Sequence, residues 1–437
     1  MPLKNIKPKS PNVMPTKVSI ITVNYNGAKF LPGFLNAIES LDFPKDKYEM
    51  VLVDNGSKDS SVELVQAKYP WVRLIRSKHN LGFGAGNNLG IINSKGMLVF
   101  LLNNDTIPDK RILKNIVSCY EKRSAREKIG AINCKMVFVD RYLHLRVKDA
   151  VLSKVTKNSY QSVNIDLQKM VHESTKTYHE DVYVPCGTNP GKGKVVILLS
   201  KLRSNDFSIE FGTKIINGKF LVEGNKEVQM TLSLDGHRFV DLIQNAGNYY
   251  FRDGYGRDRG VVSYANRQYY EEDRGQYNNF EKVPGFCGAG VLLNKAAFNK
   301  VGGFDESFFM YYEDGDLSFR LKKAGYSIYY SPDAIVRHIH SGSSKEWSDF
   351  FIYHVERSRL LFLSKNWPVV VAIREFIKYL IKSTVLVPIY YLLRSRDIKV
   401  WKRFNLRLRV IKSVFARFFL NLLDSNRMSY KEYYQLL

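Results

Sequence analysis

Residues 98–105 read Leu-Val-Phe-Leu-Leu-Asn-Asn-Asp, five apolar residues followed by two amides and a carboxylate. A short apolar run that stops at polar residues is typical of a buried strand in a parallel sheet. Ligands of open α/β sheets lie at the carboxyl ends of such strands. The stretch therefore predicts a sheet and also the edge of that sheet where chemistry occurs.

The residues around this stretch alternate between apolar runs and amphipathic segments from Val18 to Asn133. The pattern predicts strands at Val18–Val23, Met50–Val53, Val72–Ile75 and Met97–Leu102, and helices at Ala28–Leu41, Ser60–Tyr69, Gly84–Asn93 and Asp109–Lys122. Strands that alternate with helices indicate a parallel α/β sheet of the nucleotide-binding kind.

The texture of the sequence divides the rest of the chain. We predict an α/β domain from residues 17–139 and 242–344, with 140–241 as an insertion that carries a small antiparallel β module. Residues 140–181 are Lys-rich and weakly periodic, and a turn is expected at Asn217-Gly218. Residues 1–16 read as a flexible basic leader without the apolar core of a signal peptide, which favours a cytoplasmic protein.

Charge and hydrophobicity restrict the class of protein. The 437 residues are 45% hydrophobic and carry a formal net charge of +24, which excludes a disordered chain and implies a polyanionic partner. Residues 345–437 hold 18 Lys and Arg against 7 acids, with aromatic and aliphatic residues between them. This pattern favours basic amphipathic helices on an anionic membrane surface, or helices that cap the catalytic core with a solvated basic face. No uncharged run there reaches membrane-spanning length, and no nucleic-acid module is evident.

Two polar turns follow the first two predicted strands. They are Asn24-Tyr25-Asn26-Gly27 and the segment that begins at Asp54. Strand ends share one edge of a parallel sheet, so Asp54 is placed to accept the N3–H of uracil or thymine. The alternative is that Asp54 caps the next helix. A glycine-rich loop at 80–90 adds positions where backbone could approach a nucleotide.

Carboxylates and histidines suggest a metal and a base. Asp105, after its buried strand, suits a divalent metal that bridges a diphosphate, unless it caps the turn before Pro108. Glu313, Asp314 and Asp316 crowd one predicted helix start, which favours a raised pKa on one of these carboxyls and hence a general base. The alternative is that the acids stabilise the helix start through the helix dipole. His338 and His340 share a strand face and could complete the metal site, or serve structure alone.

Together, and in this order along the chain, these motifs resemble the family 2 glycosyltransferases, inverting enzymes of the GT-A fold. The resemblance covers 18–137 and 242–344 and is strongest to the rhamnosyltransferase-like branch. It implies an α/β GT-A fold with the inserted β module and a C-terminal helical basic region. It also implies transfer of a sugar from a dTDP- or UDP-linked donor. By analogy with the rhamnosyltransferase-like branch, that sugar is rhamnose.

The resemblance assigns roles to individual residues. It implies that Asp314 is the catalytic base, with Glu313 as the second candidate, and that Asp105 with His338 or His340 binds Mg²⁺ or Mn²⁺. Donor-binding roles fall on a set of polar residues at the strand ends and the glycine-rich loop: Asn24, Tyr25, Asn26, Asp54, Asn80, Asn87 and Asn104. The chain departs from the family pattern at Asn103, where many members have Asp.

The expected function is extension of a glycan or polyprenyl-linked acceptor for a cell-surface polysaccharide, at the inner face of the cell membrane. The alternative is a catalytically inactive scaffold that binds glycan or nucleotide. Turnover of a donor distinguishes the two hypotheses.

Overall fold

The computed structural model of the chain describes most of its residues, in ranges separated by short gaps. These ranges are 18–157, 168–173, 178–186, 194–202, 206–211, 214–219, 227–234, 237–264, 267–339, 348–393, 398–424 and 427–435. The predicted leader at 1–16 and His340 lie outside the described residues.

The first 124 residues contain the α/β alternation that the sequence predicts. The strands are β1 (Val18–Asn24), β2 (Tyr48–Asp54), β3 (Arg73–Arg76) and β4 (Leu98–Leu102), and the helices are α1 (Leu31–Glu39), α2 (Ser61–Lys68), α3 (Phe83–Ile92) and α4 (Ile112–Ser124). All eight predicted elements are confirmed, with ends that shift by up to three residues.

The rest of the main sheet comes from later in the chain. Its elements are β5 (Thr106–Pro108), β6 (Ile129–Phe138), β15 (Ile243–Asn245), β20 (Glu281–Lys282), β21 (Gly290–Asn294) and β22 (Ser327–His338), with helices α5 (Lys295–Lys300) and α6 (Glu313–Lys323). The strand order is β20-β22-β6-β21-β4-β1-β2-β3, and β21 runs antiparallel to both β4 and β6. Strand β21 therefore joins the late segment of the chain directly to the strand that ends at Leu102.

Helices cover the main sheet on both faces, so its strands are apolar on both sides. In β4, Leu98, Phe100 and Leu102 pack with α1, α2 and α4, whereas Val99 and Leu101 pack with α3, α5 and α6. Residues of a strand alternate between faces, and this division follows from that period. A mixed α/β sheet of this kind is the fold class that the sequence predicts.

The insertion is larger than the predicted module. It contains β7 (Tyr142–Lys148), β8 (Ala150–Lys157), β9 (Gln168–Glu173), β10 (Tyr178–Pro185), β11 (Lys194–Lys201), β12 (Asp206–Phe211), β13 (Lys214–Lys219) and β14 (Glu227–Ser233). They form antiparallel sheets of five and three strands that share one apolar core.

Two expectations about the insertion were wrong. Strands begin at Tyr142, because Leu143, Leu145 and Val147 point into the core while the polar residues between them face outward. Asn217-Gly218 is not a turn, since both residues pair with β12. The Phe207 ring occupies the space beside Gly218, where an added Cβ would come within 2.4 Å of it.

Two small antiparallel strand pairs are described between the insertion and β20. The described strands there are β16 (Asn248–Tyr250) paired with β17 (Gly256–Asp258), and β18 (Val261–Tyr264) paired with β19 (Arg267–Tyr270). The first pair, with its connecting residues 251–255, is called the 248–258 hairpin below.

The C-terminal part of the described chain is helical, as the sequence predicts. Its helices are α7 (Asp349–Asn366), α8 (Val369–Ile381), α9 (Val387–Leu393), α10 (Ile398–Leu422) and α11 (Tyr430–Gln435). Residues 382–386 form a π-helical turn between α8 and α9. A π turn accommodates a proline by shifting the hydrogen-bond register, which lets the helix continue past Pro388.

Helix α7 is part of the catalytic half of the molecule. Leu360, Leu361 and Phe362 are fully buried in a cluster with Phe308 and Phe319. Residues 369–393 are, by length and composition, a helix that could cross a membrane, and only 17% of the most apolar window is buried in the protein. Residues 369–393 therefore do not form a core helix. The helix is longer than any uncharged run within residues 345–437, because it continues through charged residues.

Candidate active site

The ends of three neighbouring strands carry one hydrogen-bonded chain of polar side chains. Asn24 and Asp54 are register partners at the ends of β1 and β2. The Asn24 amide lies 3.4 Å from Asp54 Oδ1, and Asn104 Nδ2 donates to Asn24 Oδ1 at 2.7 Å. The structure therefore brings Asn24, Asp54 and Asn104 together, as the sequence predicts.

Asn24 and Asp54 are buried, whereas Tyr25, which directly follows Asn24, is exposed. Asn24 is fully buried and Asp54 is nearly so, whereas Tyr25 has 45% of its surface exposed. The Asn24 amide is bonded to Asp54, Ser57 and Asn104, so its geometry suits positioning of Asp54 rather than contact with a ligand. Tyr25 and the remaining lone pairs of Asp54 are the groups here that could contact a nucleobase directly.

Asn26 joins the two polar loops. It adopts a left-handed backbone conformation with φ of 51°, which Asn tolerates better than most residues. Its Oδ1 accepts from the Lys58 backbone N–H at 2.8 Å, and its own N–H donates to Ser57 Oγ at 2.9 Å. Asn26 therefore fixes the mouth of the site.

The glycine-rich loop is used mainly for packing within the protein. Gly82 has φ of 82°, and Cβ atoms added to Gly86 and Gly90 would meet Val23 and Ile21 at 3.0 and 2.5 Å. These glycines let α3 approach the sheet closely. The expectation that they admit a nucleotide backbone contact is wrong for Gly86, whose missing Cβ faces the sheet.

The two predicted asparagines of this loop are structural in their observed contacts. Asn80 Oδ1 accepts from Asn55 Nδ2 at 3.0 Å and from Gly82 N–H at 2.9 Å. Asn87 is buried and donates to the Phe83 carbonyl at 3.0 Å. Asn55, which the sequence did not single out, also accepts from Leu81 N–H and so anchors the loop to the end of β2.

Asp105 lies against His338. Asp105 Oδ1 is 3.2 Å from His338 Nε2, because the neighbouring residue Thr106 is the register partner of His338 in the β5–β22 pair. His338 Nδ1 is 2.7 Å from Gln244 Oε1, an amide that the sequence did not indicate. The predicted pairing of Asp105 with a histidine from the late strand is thus present.

These two side chains fit a divalent cation. With Gln244 Oε1 as the acceptor of the Nδ1 proton, the tautomer of His338 that can bind a metal would direct its Nε2 lone pair toward Asp105. Asp105 Oδ1 is buried and makes no hydrogen bond of normal geometry. A carboxylate oxygen and an imidazole nitrogen that face each other without a proton are suitable metal ligands. No group of three or more His, Cys, Asp or Glu side chains that could hold a metal ion occurs in the part of the chain that is described.

Asp314 occupies a cradle of backbone amides at the start of α6. The Gly315 N–H donates to Oδ1 at 2.7 Å, and the Gly288 N–H donates to Oδ2 at 3.0 Å. The side chain is partly exposed. Burial raises the pKa of Asp314, while the two amides oppose the shift by stabilising the carboxylate. A partly exposed carboxylate with a raised pKa is suited to general base chemistry.

Glu313 and Asp316 differ from Asp314. Glu313 is buried and its Oε2 has no hydrogen bond; burial, and then the charge of Asp314, raise its pKa well above the usual range. Asp316 is fully buried but paired with Arg320 and Lys365, both at 2.8 Å. The local acids therefore divide into a buried Glu313 with a raised pKa, an ion-paired Asp316 and a partly exposed Asp314.

The segment 288–289 connects the carboxylate of Asp314 with the stretch that carries Asp105. Gly288 bonds to Asp314, and the next carbonyl, that of Ala289, accepts from Asn103 N–H at 3.1 Å. Asn103 lies two residues before Asp105. Asp314 and the stretch that carries Asp105, 209 positions apart in the sequence, are thereby hydrogen-bonded to adjacent residues of one short segment.

A buried amide network supports this segment and was not predicted. Asn133 Oδ1 accepts from Cys287 N–H at 2.8 Å, Asn133 Nδ2 donates to Asn245 at 3.0 Å, and Asn248 Nδ2 donates to the Phe286 carbonyl at 2.9 Å. The sequence signal was weak, because the three asparagines lie on separate strands up to 115 positions apart. Their burial would have been the only clue.

Two family models match the chain on either side of the insertion. The model for glycosyl transferase family 2 matches residues 19–161, and that for glycosyl transferase family group 2 matches residues 232–354. The first covers the polar strand ends and Asp105, and the second covers Asp314 and His338.

Curated relatives and a solved structure resemble parts of the chain. Glycosyltransferase AglE of Haloferax volcanii is 35% identical over 104 residues, which are 23% of this chain and 34% of the relative. N-acetylglucosaminyl-diphospho-decaprenol L-rhamnosyltransferase of Mycobacterium tuberculosis is 43% identical over 79 residues, 18% of this chain and 25% of the relative. GalNAc-T7, solved with UDP, GalNAc and Mn²⁺, aligns with a TM-score of 0.48 at 12% identity, over 86% of this chain and 51% of that one.

The matched segments thus span a quarter to a third of the length of those curated relatives. With both family models placed on the main sheet and its site, the chain belongs to the family 2 glycosyltransferases.

Proposed function

We propose that this glycosyltransferase transfers its sugar with inversion, with the help of a divalent metal, to a hydroxyl of a lipid-linked glycan at the cytoplasmic face of the membrane. The observation that carries the proposal is the position of Asp314, bonded to Gly288 beside the strand end that bears Asp105. A base and a diphosphate-binding group that are joined through one short segment would suit a displacement at the anomeric carbon of a bound donor.

The donor is proposed to bind at the ends of β1, β2 and β4. Asp54 would accept the N3–H of uracil or thymine, and the exposed Tyr25 would cover the base, with Asn24, Asn26 and Asn104 holding this edge in shape. Asn80 and Asn87 would act indirectly through the conformation of their loop. We propose dTDP-rhamnose as the first donor to test, since a rhamnosyltransferase is among the relatives.

Asp314 is proposed to act as the base. It would take the proton of the acceptor hydroxyl as that oxygen forms a bond to the anomeric carbon, while the bond from this carbon to the diphosphate oxygen breaks. Attack from the face opposite to the diphosphate inverts the configuration. Glu313 is less suited to this step because it is buried and its raised pKa keeps it protonated.

Asp105 and His338 would hold Mg²⁺ or Mn²⁺. The cation supplies electrostatic stabilisation of the departing nucleoside diphosphate. The residues of this chain supply one carboxylate and one imidazole, and Gln244 sets the imidazole tautomer. Asn103, in place of the acid of many family members, contributes no charge here.

The C-terminal helices are proposed to lie on the membrane. Helices α8 and α9 run antiparallel to α10, as the Phe376–Phe418 and Tyr391–Trp401 ring contacts at 4.4 and 5.4 Å require. Large apolar side chains on both helices are exposed: Ile377, Ile381, Val385, Leu386, Ile389, Trp401, Leu408, Phe415 and Phe419. Residues 376–423 contain 11 Lys and Arg and one acid, Asp397. An apolar face in a basic segment suits anionic lipid.

Donor turnover tests the proposed reaction. The full chain is incubated with Mn²⁺, a polyprenyl-linked glycan acceptor and a panel of nucleotide sugars, and nucleoside diphosphate release and the product anomer are measured by NMR. Asp314→Asn should abolish release while donor binding persists, and the exposed Asp333→Asn should behave as wild type. Donor binding without release by the wild type would support a scaffold, and a retained anomeric configuration would refute the inverting mechanism.

A further inference from the structure

The strongest unassigned feature is a cleft between the tip of the 248–258 hairpin and α8. We propose that this cleft binds the phosphate groups of a lipid-linked acceptor, whose hydrocarbon chain then lies along α8. The proposal deepens the proposed function and rests on it, since it names the part of the acceptor that the enzyme recognises.

The cleft is large and basic. Its volume is about 760 Å³, and its charged lining residues are four bases against two acids: Arg252, Arg257, Arg374 and Lys378, with Asp253 and Glu375. The exposed ring of Phe251 lines it as well, and the Arg257 guanidinium lies over that ring at 5.1 Å. A cleft with an excess of Arg and Lys is suited to phosphate, because guanidinium and ammonium groups donate several charge-assisted hydrogen bonds.

The two acids organise the bases and do not cancel them. Glu375 is buried, and its Oε1 accepts from Arg374 Nε at 3.0 Å and from Lys378 Nζ at 2.9 Å. Asp253 Oδ1 accepts from the Tyr255 N–H at 3.1 Å. One buried carboxylate therefore holds two cations side by side at the wall of the cleft. That arrangement presents more positive than negative charge to the open space.

The tip of the hairpin is rigid. The Arg359 guanidinium donates to the Asp253 carbonyl at 2.8 Å, and the Trp367 indole donates to the Arg252 carbonyl at 3.1 Å. Gly254 has φ of 80°, and a Cβ there would lie 2.5 Å from the Leu363 side chain. Because the backbone is fixed by α7 and by the residue that follows it, the basic side chains start from a preformed position.

The same hairpin touches the catalytic helix on its other side. Tyr250 is buried with its hydroxyl against Gly315, where an added Cβ would lie 2.9 Å from the oxygen. Gly256 N–H donates to the Tyr312 hydroxyl at 3.4 Å, just before Glu313. The hairpin that lines the cleft thus also contacts Tyr312 and Gly315, which lie close to Asp314 in the sequence. A sugar attached to a phosphate in the cleft would be held close to the base.

The cleft also opens toward the apolar face of the C-terminal helices. Arg374, Ile377, Lys378 and Ile381 follow the three- and four-residue spacing that places side chains on one face of a helix. Ile377 and Ile381 are about half exposed. An anion with a long hydrocarbon chain satisfies both surfaces, whereas free phosphate or a nucleotide satisfies only the basic one. This continuity is why we assign the cleft to a lipid-linked phosphate.

Vesicle binding by the full chain tests the assignment. The probes are phosphatidylcholine vesicles that carry either a polyprenyl diphosphate or phosphatidylglycerol at equal charge, and inorganic pyrophosphate alone. The variant is Arg257→Gln with Lys378→Gln, and the matched control is Lys114→Gln with Lys122→Gln, two exposed bases of α4.

We expect the cleft variant to bind polyprenyl diphosphate vesicles roughly tenfold more weakly, the effect of losing about 1.4 kcal/mol of phosphate contacts, with a smaller loss on phosphatidylglycerol. Equal losses on both vesicles, or no loss, would overturn the assignment. Pyrophosphate that binds the cleft as tightly as the lipid vesicles would overturn the lipid part. Absence of donor turnover in the wild type refutes the proposed function separately, because these measurements need no donor.

Discussion

Gly288 donates its backbone N–H to the carboxylate of Asp314 at 3.0 Å, and this contact joins the start of α6 to the loop before β21. A Cβ at Gly288 would come within 2.8 Å of the Phe83 ring, so the close approach of the loop requires glycine. Tyr311 and Tyr312 precede the helix with φ of 67° and 70°, conformations that are strained for aromatic residues. The backbone around Asp314 is therefore fixed before any substrate binds.

The first prediction separates Glu313 from Asp314. Glu313→Gln should keep activity within a few-fold, because the carboxyl is already neutral and Gln has the same shape, whereas Asp314→Asn should lower kcat about 10²- to 10⁴-fold. Steady-state rates of both purified variants provide the measurement. A Glu313→Gln variant as inactive as Asp314→Asn would contradict the assignment of the base.

The second prediction concerns the pH dependence of the rate. The base acts when deprotonated, and burial raises the pKa of Asp314, so kcat/KM should fall on the acid side at a pH above the ordinary Asp value of about 3.9. The acid limb should persist in Glu313→Gln. If the limb disappears in that variant, the titrating base is Glu313.

The second prediction has a counterpart in the pH dependence of stability, because the pKa of Glu313 is also raised in the folded protein. The folded state raises the pKa of Glu313, so its neutral form stabilises the fold below the unfolded pKa of about 4.3, and that contribution is lost as pH rises toward the folded pKa. Glu313→Gln should therefore raise Tm relative to wild type at pH 8 and much less at pH 4. Thermal unfolding at the two pH values checks the sign, and a larger gain at pH 4 would contradict it.

The third prediction concerns the metal ligands. In Asp105→Asn and His338→Asn, the rise in Tm that Mn²⁺ and a nucleoside diphosphate produce together should be lost; at 100 times Kd such binding stabilises a protein by about 2.7 kcal/mol. Removal of metal by chelation should stop turnover. Full turnover after chelation would show that the reaction needs no divalent ion.

The fold was largely predictable where one strand or helix is defined by its own residues. The apolar run at Leu98–Leu102 and the helical spacing of α1 to α4 are local patterns, and each appears in the structure. The strands at 142–157 were missed because lysines on their outer face obscured a two-residue alternation. The role of α7 was also unpredictable, since its four consecutive buried residues contact parts of the chain about 50 positions earlier.

The site divides in the same way. Asp54, Asp105, His338 and Asp314 were proposed from their positions at strand ends and a helix start, which are local signals. The residues that orient them were not found, because Gln244 and Asn245 lie on β15 and act only through contacts across 90 or more residues. Polar residues in a three-residue strand carry no sequence signal until the sheet places them beside their partners.

The fourth prediction uses two glycines with opposite surroundings. Gly90→Ala should destabilise the protein by about 1–3 kcal/mol, because the new Cβ would lie 2.5 Å from Ile21 Cγ2. Gly33 lies in α1 with open space around its Cβ position, so Gly33→Ala should stabilise by about 0.5–1 kcal/mol. Denaturant unfolding of both variants measures the two changes. Equal effects of the same sign would show that packing of α3 on β1 is looser than the structure indicates.

The last prediction concerns the apolar face of α8 and α10. Removing residues 345–437 would not test it, because α7 is buried in the catalytic half and Lys365 pairs with the buried Asp316 at 2.8 Å. The triple variant Ile377→Asn, Ile381→Asn and Phe415→Asn changes exposed side chains only.

We expect this variant to lose at least tenfold in affinity for phosphatidylglycerol vesicles, since burying one such side chain contributes about 1.5–3 kcal/mol, with Tm nearly unchanged. The control, Ile92→Asn with Met97→Asn, removes apolar groups that are at least as exposed but lie outside the C-terminal helices, and it should float with vesicles as wild type does. Equal binding by both variants would show that the basic residues alone, and not this face, attach the enzyme to lipid. If the wild-type protein stays on vesicles at high salt and the triple variant does not, the apolar contact is the dominant one. Salt screens the charges and leaves apolar burial intact.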